Sequence, residues 1–353
     1  MSPPNRQNIT IKDIAEKAGV SKSTVSRVLN NTTPVHEKKK LAVQKAIKLL
    51  QYRPNVFARS LAGGQSMTIG VVTQNIGSPF YDSVTQGLIS SFSGTDYFPL
   101  VVDGQWNPDL EMVAIQTLLE RQVDGLILVG GKLSAEALDE LSKEKPIVLV
   151  AQKLPGWENR CVTVDNVDAG FQATKFLIEL GHTEIAHLSG IADHDDAKDR
   201  LEGYKRALKH FSIPLKQTLI VEGNFSSQSG VLAVGSLLAR GVHFSAIFAA
   251  NDEMALGARL ALYRRGIRVP EDISIIGFDD QPASAFMTPP LTTVAQPAME
   301  MGRAAARMML QQLAGQTLEM TKLNVQIVVR ESVLQYSPTR RSSSPAIGAE
   351  GPR

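Results

Sequence analysis

The segment GVSKSTVSRVLNN, residues 19–31, combines hydroxyl and basic side chains with a narrow apolar stripe. Val25, Val28 and Leu29 recur at the spacing of one buried helix face, and Ser21 before them is a good N-cap. A helix with so thin a buried face needs neighbours on that side and leaves its other faces free. The segment therefore predicts a short surface helix that presents polar groups to a partner.

The residues before this segment complete a helix-turn-helix pattern. Apolar residues recur at helical spacing after Thr10, the pair Thr10 and Asp13 has the spacing of a capping box, and Gly19 supplies the turn. On the second helix, basic side chains reach guanine acceptors or phosphates, and hydroxyls bond phosphate oxygens. The side chains concerned are Ser21, Lys22, Ser23, Thr24, Ser26 and Arg27. A helix lying in a DNA major groove has this pattern, and the alternative is an ordinary solvated helix with a cap.

A third amphipathic helix is predicted over residues 37–50, with the apolar face Leu41, Ala42, Ala46, Leu49 and Leu50. Residues 1–65 contain 12 Lys and Arg against 3 Asp and Glu, whereas the rest of the chain contains 25 basic and 32 acidic residues. A basic head on an acidic body is the charge distribution expected for a polyanion partner. Three short helices with this charge predict a small DNA-binding head.

A hinge follows the head in the stretch YRPNVFARSLAGGQS, residues 52–66. Pro54 and the pair Gly63-Gly64 bracket a segment that is too short to form a stable helix alone in water. This segment is predicted to connect the head to the body.

The two stretches TIKDIAEKAGVSKSTVSRVLNN and YRPNVFARSLAGG together resemble the start of the lactose-repressor (LacI/GalR) family of bacterial transcription regulators. The resemblance implies that Lys22, Ser23 and Arg27 face base edges. It implies that residues 55–62 fold into a hinge helix on operator DNA, with Leu61 wedged into the minor groove. The implied backbone-positioning residues of the head are Thr10, Ser21, Thr24, Ser26 and Asn30, and the implied hinge contacts are Asn55, Leu61 and Ala62.

From residue 67 onward, β-branched runs alternate with helical stretches, which is typical of a parallel sheet covered on both faces. The predicted strands are TIGVVT, FPLVVDG, GLILVG, PIVLVA, EIAHLSG, LIVEG, AIFAAND and SIIGFDD. Eight such units exceed one sheet of usual size, and RCVTVDNVDAG, residues 160–170, is a plausible crossover between two lobes. The predicted fold is therefore α + α/β, with a three-helix head, a hinge helix and a two-lobed Rossmann-like domain. The resemblance implies that this domain is periplasmic-binding-protein-like.

The predicted domain boundaries follow from these patterns. The head covers residues 1–53, the hinge helix and linker 54–65, the effector-binding domain 66–335, and a disordered tail 336–353 that is rich in Ser, Pro and Gly. Within the domain, lobe one is expected over about 66–164 plus 297–324, and lobe two over about 165–296 plus 325–335. The tail has no leucine heptads, so the expected assembly is a homodimer.

Polar and aromatic residues fall just past predicted strands or at helix starts, where two Rossmann-like lobes share a cleft. An aromatic ring for stacking, an arginine fork, and Asn and Asp for hydroxyls suit a sugar or another polyhydroxylated ring. The candidates are Phe80, Arg200, Phe225, Asn251, Asp279 and Gln296, with Gln152 and Lys153 as possible further contacts. All of the six except Phe80 match effector-contact positions implied by the resemblance. The ordinary alternatives are core packing for the phenylalanines and a surface ion pair for Arg200.

Catalytic signatures are missing from the sequence, since it has no Walker loop, G-x-G-x-x-G, G-x-S-x-G or H-E-x-x-H motif. His194 among ADHDDAKD is predicted to lie in a loop, and the acidic residues around it are predicted to form a solvated loop tip. No enzyme, catalytic residue, cofactor or metal site is therefore predicted. The sequence also lacks a membrane-spanning stretch and a secretory signal, so no membrane partner and a cytoplasmic location are expected.

These observations predict an effector-controlled transcription regulator. The expected partners are double-stranded operator DNA with a palindromic sequence, a second copy of the chain, and a small-molecule effector that is a carbohydrate or sugar derivative. The expected role is repression of carbohydrate-utilisation genes. A purine or nucleobase corepressor is the alternative ligand. A solute-binding protein and an enzyme of doubly wound fold are the alternatives of other classes, but neither explains the basic head.

Overall fold

The protein is described here by a computed structural model that covers residues 9–30, 34–50, 52, 65–318 and 321–337. The chain divides into two compact units, residues 1–66 and residues 67–353. The first unit contains the head, and the second contains the two lobes. In the part of the chain that the structure covers, no helix is both long enough and apolar enough to cross a membrane.

The head consists of three helices, α1 (Ile11–Ala18), α2 (Lys22–Asn30) and α3 (Glu37–Leu49). They pack around a small core in which Ile14, Val25 and Val43 are fully buried. The predicted helix-turn-helix is confirmed, and Ala46 and Leu50 of the predicted inner face of α3 pack in the core, but Leu41 and Leu49 do not. Leu41 and Leu49 are 53% and 67% exposed. The helix instead turns the stripe of Val43, Ala46 and Ile47 to the core, because these residues follow one another at i, i+3 and i+4.

Lobe one is built on a five-stranded parallel sheet with strand order β2-β1-β3-β4-β5. Its strands are β1 (Thr68–Thr73), β2 (Phe98–Asp103), β3 (Gly125–Val129), β4 (Ile147–Val150) and β5 (Cys161–Val162). The connecting helices are α4 (Pro79–Phe92), α5 (Pro108–Glu120) and α6 (Ala135–Glu144). In the register of the sheet, Val71 of β1 lies between Val101 of β2 and Ile127 of β3. The central strands are buried on both faces, as expected for a parallel sheet covered by helices.

Lobe two is built on a six-stranded sheet with strand order β11-β10-β9-β8-β6-β7, in which only β10 and β11 pair antiparallel among the described strands. Its strands are β6 (Ile185–Ser189), β7 (Ile220–Glu222), β8 (Ala246–Ala249), β9 (Ser274–Asp279), β10 (Thr292–Ala295) and β11 (Gln326–Val328). Its helices are α7 (Asn166–Glu179), α8 (Asp195–His210), α9 (Ser227–Ala239) and α10 (Asp252–Tyr263). Short 3-10 turns cover residues 158–160, 217–219 and 282–286.

The last helix, α11 (Ala298–Leu313), returns from lobe two to cover lobe one. It crosses α4 at backbone contact, because a Cβ at Gly87 would collide with the carbonyl oxygen of Met299. Its residues Met301 and Met308 are buried in the core of lobe one. The chain thus passes between the lobes after β5, after β10 and after α11, and these three crossings connect the two sheets beside the cleft.

All eight predicted strands form, and the predicted two-lobed α/β fold is confirmed. Of the short strands at lobe crossings, β5 lies in the predicted crossover RCVTVDNVDAG, and β10 is not among the predicted strands. At the other end of lobe two, Tyr336 donates its backbone N–H to the carbonyl oxygen of Leu180 at 2.8 Å. Folded structure therefore includes Tyr336, the first residue of the predicted tail. Residues 338–353 lie outside the described residues.

Candidate functional site: a DNA-reading helix and an inter-lobe cleft

The N-terminus of α2 is built by Ser21. Its Oγ accepts a hydrogen bond from the backbone N–H of Thr24 at 3.2 Å, which is the predicted N-cap. The same hydroxyl is hydrogen-bonded to the hydroxyls of Ser23 and Thr24 at 2.8 Å. Behind this cap Val25 is fully buried in the head, whereas Lys22, Ser23 and Arg27 are exposed. The apolar face of the helix packs against the head, and its polar face is exposed and available for contact with a partner.

The helix α1 is held at its start by the predicted pair of Thr10 and Asp13. Oδ2 of Asp13 accepts hydrogen bonds from the backbone N–H of Thr10 at 2.7 Å and from its hydroxyl at 2.8 Å, and these bonds lower the pKa of Asp13. Gly19 ends the helix with a left-handed backbone at φ +64°. The predicted DNA contacts Asn55, Leu61 and Ala62 and the side chain of Asn30 lie outside the described residues.

In the second unit, three of the predicted effector residues line an open cavity of about 250 Å³ at the lobe crossing. Phe80 comes from the first turn of α4, Asp279 from the end of β9 and Gln296 from the residue after β10. Phe80 is also part of the core of lobe one, as the core-packing alternative expects, and its contact with an effector stays a prediction. Arg200, Phe225 and Asn251 do not line this cavity and belong to the wall of lobe two.

Among the predicted effector residues, Asp279 combines a strained backbone with a raised pKa. Its Oδ1 accepts a hydrogen bond from Nε2 of Gln296 at 2.7 Å, and its Oδ2 accepts a longer one from Nε2 of Gln281 at 3.4 Å. The backbone at Asp279 is strained, with φ +113°. Burial raises the pKa of Asp279 to about 6, although the charge of Arg200 opposes that shift.

Asp252, which directly follows the candidate Asn251, anchors the loop that carries these residues. Its Oδ2 accepts hydrogen bonds from the backbone N–H of Gln281 at 2.9 Å and from the hydroxyl of Ser284 at 2.6 Å. Its Oδ1 accepts one from the hydroxyl of Thr293 at 2.6 Å. Burial, followed by the charge of Asp279, raises the pKa of Asp252 to about 7. The signal was its place in AAND, directly after a buried strand.

Asn251 is the N-cap of α10. Its Oδ1 accepts from the backbone N–H of Met254 at 2.9 Å, and its Nδ2 donates to the carbonyl oxygen of Phe225 at 2.9 Å. Phe225 has a left-handed backbone with φ +64°. Asn251 therefore holds the loop that presents the ring of Phe225.

Protein groups hold the guanidinium of Arg200 in place. Its Nε donates to Oδ1 of Asn166 at 2.9 Å and its Nη1 to the carbonyl oxygen of Ala250 at 2.6 Å. Its Cζ lies 3.7 Å from the centroid of the Phe278 ring, and its Nη2 lies 3.7 Å from Oδ2 of Asp196. With only 3% of its surface exposed, Arg200 is part of the cleft wall rather than a surface ion pair.

A row of five aromatic rings spans the cleft between the lobes. Phe80 contacts Tyr81 at a centroid distance of 5.2 Å, Tyr81 contacts Trp106 at 5.7 Å, and Trp106 contacts His194 of lobe two at 4.8 Å. His194 in turn contacts Phe225 at 5.2 Å. All four contacts are edge to face, the preferred geometry of aromatic pairs. The sequence singled out only the two ends of this row.

His194 lies in the loop before α8, as predicted, but it is buried and is the N-cap of that helix. Its Nδ1 accepts from the backbone N–H of Asp196 at 3.2 Å, so the neutral ring carries its proton on Nε2. Burial lowers the pKa of His194. Its place at a helix start was readable from ADHDDAKD, but its aromatic neighbours were not, because they come from distant parts of the chain.

Two lysines of lobe one also reach lobe two. Nζ of Lys132 lies 3.7 Å from Oδ2 of Asp193, and Nζ of Lys153 donates to Oδ2 of Asp199 at 2.7 Å. Lys153 therefore has a carboxylate partner, and the acidic residues near the start of α8 are partners of cations rather than a purely solvated tip. Among the described residues, no group of three potential ligands is arranged to hold a metal ion.

Comparison with known proteins gives this arrangement its context. Residues 10–55 match the family model described as bacterial regulatory proteins, lacI family, and residues 174–333 match that of a periplasmic binding protein-like domain. The transcriptional regulator GalR of Escherichia coli K12 is 38% identical over 302 residues, which cover 85% of this chain and 88% of GalR. Catabolite control protein A of Priestia megaterium is 36% identical over 315 residues, which cover 88% of this chain and 95% of that protein.

Comparison with solved structures points to the same family as the sequence relatives. The lac repressor dimer bound to operator and the anti-inducer ONPF superposes with a TM-score of 0.85 at 31% identity, covering 93% of this chain and 100% of that chain. The complex of the transcriptional regulator CelR with cellobiose superposes with a TM-score of 0.69 at 33% identity, covering 92% and 99%. The relatives are transcription regulators, so the chain is a regulator and not an enzyme. With its helix-turn-helix head and two-lobed domain, the chain belongs to the LacI/GalR family of DNA-binding bacterial transcription regulators.

Proposed function

We propose that the chain is a repressor of carbohydrate-utilisation genes that binds a palindromic double-stranded operator as a homodimer. A sugar or sugar derivative in the inter-lobe cleft sets its operator affinity. The single observation that carries this proposal is the coexistence of an exposed polar face on α2 with a cleft that holds carboxylate, amide and aromatic groups together. Acting on chromosomal DNA, the protein would work in the cytoplasm.

The DNA-binding part of the proposal assigns base contacts to Lys22, Ser23 and Arg27, which are exposed on α2. Backbone contacts are assigned to Thr10, Ser21, Thr24, Ser26 and Asn30, and hinge contacts to Asn55, Leu61 and Ala62. The hydroxyl of Ser21 lies at the helix N-terminus, where a phosphate oxygen is favoured by the helix dipole. The proposed division of the chain keeps the head at residues 1–53 and the hinge at 54–65.

The effector part of the proposal places the ligand among Phe80, Arg200, Phe225, Asn251, Asp279 and Gln296. The carboxylate of Asp279 accepts hydrogen bonds from hydroxyls, and the amide of Gln296 both donates and accepts. The aromatic row offers apolar edges and faces to the C–H groups of a sugar ring. The CelR complex with cellobiose shows that a chain of this fold holds a sugar.

Control of DNA binding would follow from linkage between the two sites. A ligand that prefers one arrangement of the lobes shifts the population toward it. When that arrangement also changes how the hinges and heads of a dimer meet a two-fold operator, the ligand changes operator affinity by its coupling free energy. Release of DNA on ligand binding is the proposed direction.

The proposed homodimer has a candidate surface on lobe two. Leu256, Leu260 and Tyr263 lie at i, i+4 and i+7 on α10 and are exposed, and Leu232 on the packed neighbour α9 is exposed as well. The two helices meet at backbone contact, because a Cβ at Gly257 would collide with the carbonyl oxygen of Ser227. An apolar patch on a rigid pair of helices suits a self-complementary dimer interface.

The test is an anisotropy titration of the full-length protein against its own upstream DNA at fixed salt. The titration is repeated with neutral sugars, their phosphate esters and purines. A shift of about tenfold or more, which is about 1.4 kcal/mol of coupling, with a sugar supports the proposal. A shift with purines alone replaces the sugar by a nucleobase, and binding no tighter than to unrelated duplex overturns the DNA-binding assignment.

A further inference from the structure

Asn166, Asp196 and Arg200 form a closed triangle on the lobe-two wall of the cleft. Nδ2 of Asn166 donates to Oδ1 of Asp196 at 2.8 Å, and Oδ1 of Asn166 accepts from Nε of Arg200 at 2.9 Å. The third side is the 3.7 Å separation between Oδ2 of Asp196 and Nη2 of Arg200. The amide of Asn166 thereby fixes the carboxylate and the guanidinium relative to each other.

Asp196 of the triangle lies in the first turn of α8, next to His194 and Asp193, which contact Trp106 and Lys132 of lobe one. Burial raises the pKa of the Tyr81 hydroxyl in lobe one, and the carboxylates of Asp196 and Asp279 raise it further while Arg200 lowers it. The three charged side chains therefore all act on the same point of lobe one. When both carboxylates are ionised, this part of the cleft contains one more negative than positive charge.

Two further contacts hold Arg200 inside lobe two. Its Nη1 donates to the carbonyl oxygen of Ala250, and the ring of Phe278 covers its planar face at 3.7 Å. A phosphate group, which carries about −1.5 to −2 charges near neutral pH, would have to approach Nη2 of Arg200 against the carboxylate of Asp196, 3.7 Å from that atom. It would also have to approach Asp279, in an environment where burial weakens solvent screening.

We propose that Asp196 sets the charge selectivity of the effector cleft: by neutralising Arg200 it admits uncharged polyhydroxylated ligands and excludes phosphorylated ones. This inference rests on the proposed function and deepens it, since it names neutral sugars as the ligand class. Hydroxyl groups of a neutral sugar donate to Asp279 and exchange hydrogen bonds with Gln296 without any charge having to move. Asp196 acts here as a specificity residue, with Asn166 as its positioning residue.

The test uses Asp196→Asn in the full-length protein. This substitution removes the charge and keeps an oxygen that can accept from Asn166. Asp195→Asn is the matched control, because Asp195 is the preceding residue on α8, is exposed, and lies 3.8 Å from Lys198 rather than beside Arg200. Isothermal titration calorimetry measures binding of inorganic phosphate, of D-glucose and D-galactose, and of the monophosphate ester of each sugar. Thermal melts confirm folding, and Asp196→Ser repeats the test in case the asparagine variant does not fold.

The expected result is a gain of about tenfold or more in affinity for inorganic phosphate in Asp196→Asn and none in Asp195→Asn. In the unsubstituted protein, a sugar that binds is expected to do so about tenfold or more tightly than its ester. The inference is overturned if Asp196→Asn gains nothing, if Asp195→Asn gains as much, or if an ester binds the unsubstituted protein as tightly as its sugar. Binding of inorganic phosphate tests the charge around Arg200 directly. An unchanged phosphate affinity in Asp196→Asn would therefore overturn this inference alone, whereas sugars that do not change operator binding would overturn the proposed function.

Discussion

The imidazole ring of His194 meets the indole ring of Trp106 edge to face across the cleft, with their centroids 4.8 Å apart. The two residues belong to different lobes, so the pair connects the lobes directly. The ion pairs Lys132–Asp193 and Lys153–Asp199 also connect the lobes. They are partly exposed, so each contributes at most about 1 kcal/mol to the stability of this arrangement. The aromatic pair is more buried than the two ion pairs. We therefore expect the closed arrangement of the lobes to depend on the packing of these two rings.

We expect His194→Ala to widen the cleft of the ligand-free protein. An edge-to-face pair contributes about 0.5–1.5 kcal/mol, so its loss shifts an open–closed equilibrium by about two- to tenfold. Small-angle scattering should report a larger radius of gyration, and the emission of Trp106 should shift to the red. His210→Ala is the matched control, because His210 also makes two edge-to-face contacts, with Phe171 and Phe211, but within lobe two. Equal scattering from the two variants would contradict the expectation.

We expect Asp279→Asn to remove a pH dependence from stability. The pKa of Asp279 is raised to about 6 in the folded protein, so between about pH 4 and pH 6 the folded state binds more protons at this site than the unfolded state. The site's contribution to the free energy of unfolding therefore falls as pH rises through that window, by up to roughly 3 kcal/mol. Urea unfolding at several pH values measures this effect. As pH rises through that window, the free energy of unfolding of the variant should increase relative to that of the unsubstituted protein by up to that amount.

The control for this measurement is the exposed Asp195→Asn, whose difference from the unsubstituted protein should change little with pH. The buried His187 titrates in the opposite sense, since burial lowers its pKa to about 4, but it is present in all three proteins and cancels in the comparison. A difference between Asp279→Asn and the unsubstituted protein that stays constant with pH would disprove the assignment.

We expect Arg27→Ala to reduce sequence discrimination in DNA binding. A side chain that reads a base edge contributes about 1–3 kcal/mol of discrimination, so the ratio of operator to unrelated-duplex affinity should fall by roughly ten- to hundredfold. Lys45→Ala, a change of another exposed cation in the head, should lower both affinities by a similar factor. Competition titrations at fixed salt measure the two ratios. An unchanged ratio in Arg27→Ala would mean that this residue contacts only phosphate.

We expect Leu260→Glu to dissociate the homodimer, because it puts a charge into the centre of the apolar face of α10. Sedimentation velocity should show a monomer, and operator affinity should fall by more than about tenfold since one head then reads one half-site. Leu215→Glu is the control, because Leu215 is as exposed as Leu260, at 41%, but lies before a short turn elsewhere in lobe two. Dimers that persist in Leu260→Glu would place the interface on another surface.

The head shows which sequence signals are reliable. Ser21 and Thr10 act at neighbouring residues, so their capping roles could be predicted from spacing alone. The face of α3 could not, because Leu41 and Val43 are both apolar and only contact with α1 decides which of them is buried. In the body, most strands were predictable from β-branched runs, whereas β10 was missed although it is as long as β4 and β8, and its pairing with β9 and β11 is seen only in the structure.

The sequence by itself determined the helix-turn-helix, the alternation that produces two parallel sheets, and the types of side chain available at the strand ends. These features depend on local spacing, capping and hydrophobic period, which act within a few residues. Only the tertiary structure decided that Arg200 is neutralised by Asp196, that Asp252 anchors the Asp279 loop, and that Trp106 meets His194. Hydrogen bonds, ring contacts and burial-dependent pKa values depend on distance in space, and the lobe crossings bring together groups that lie far apart along the chain.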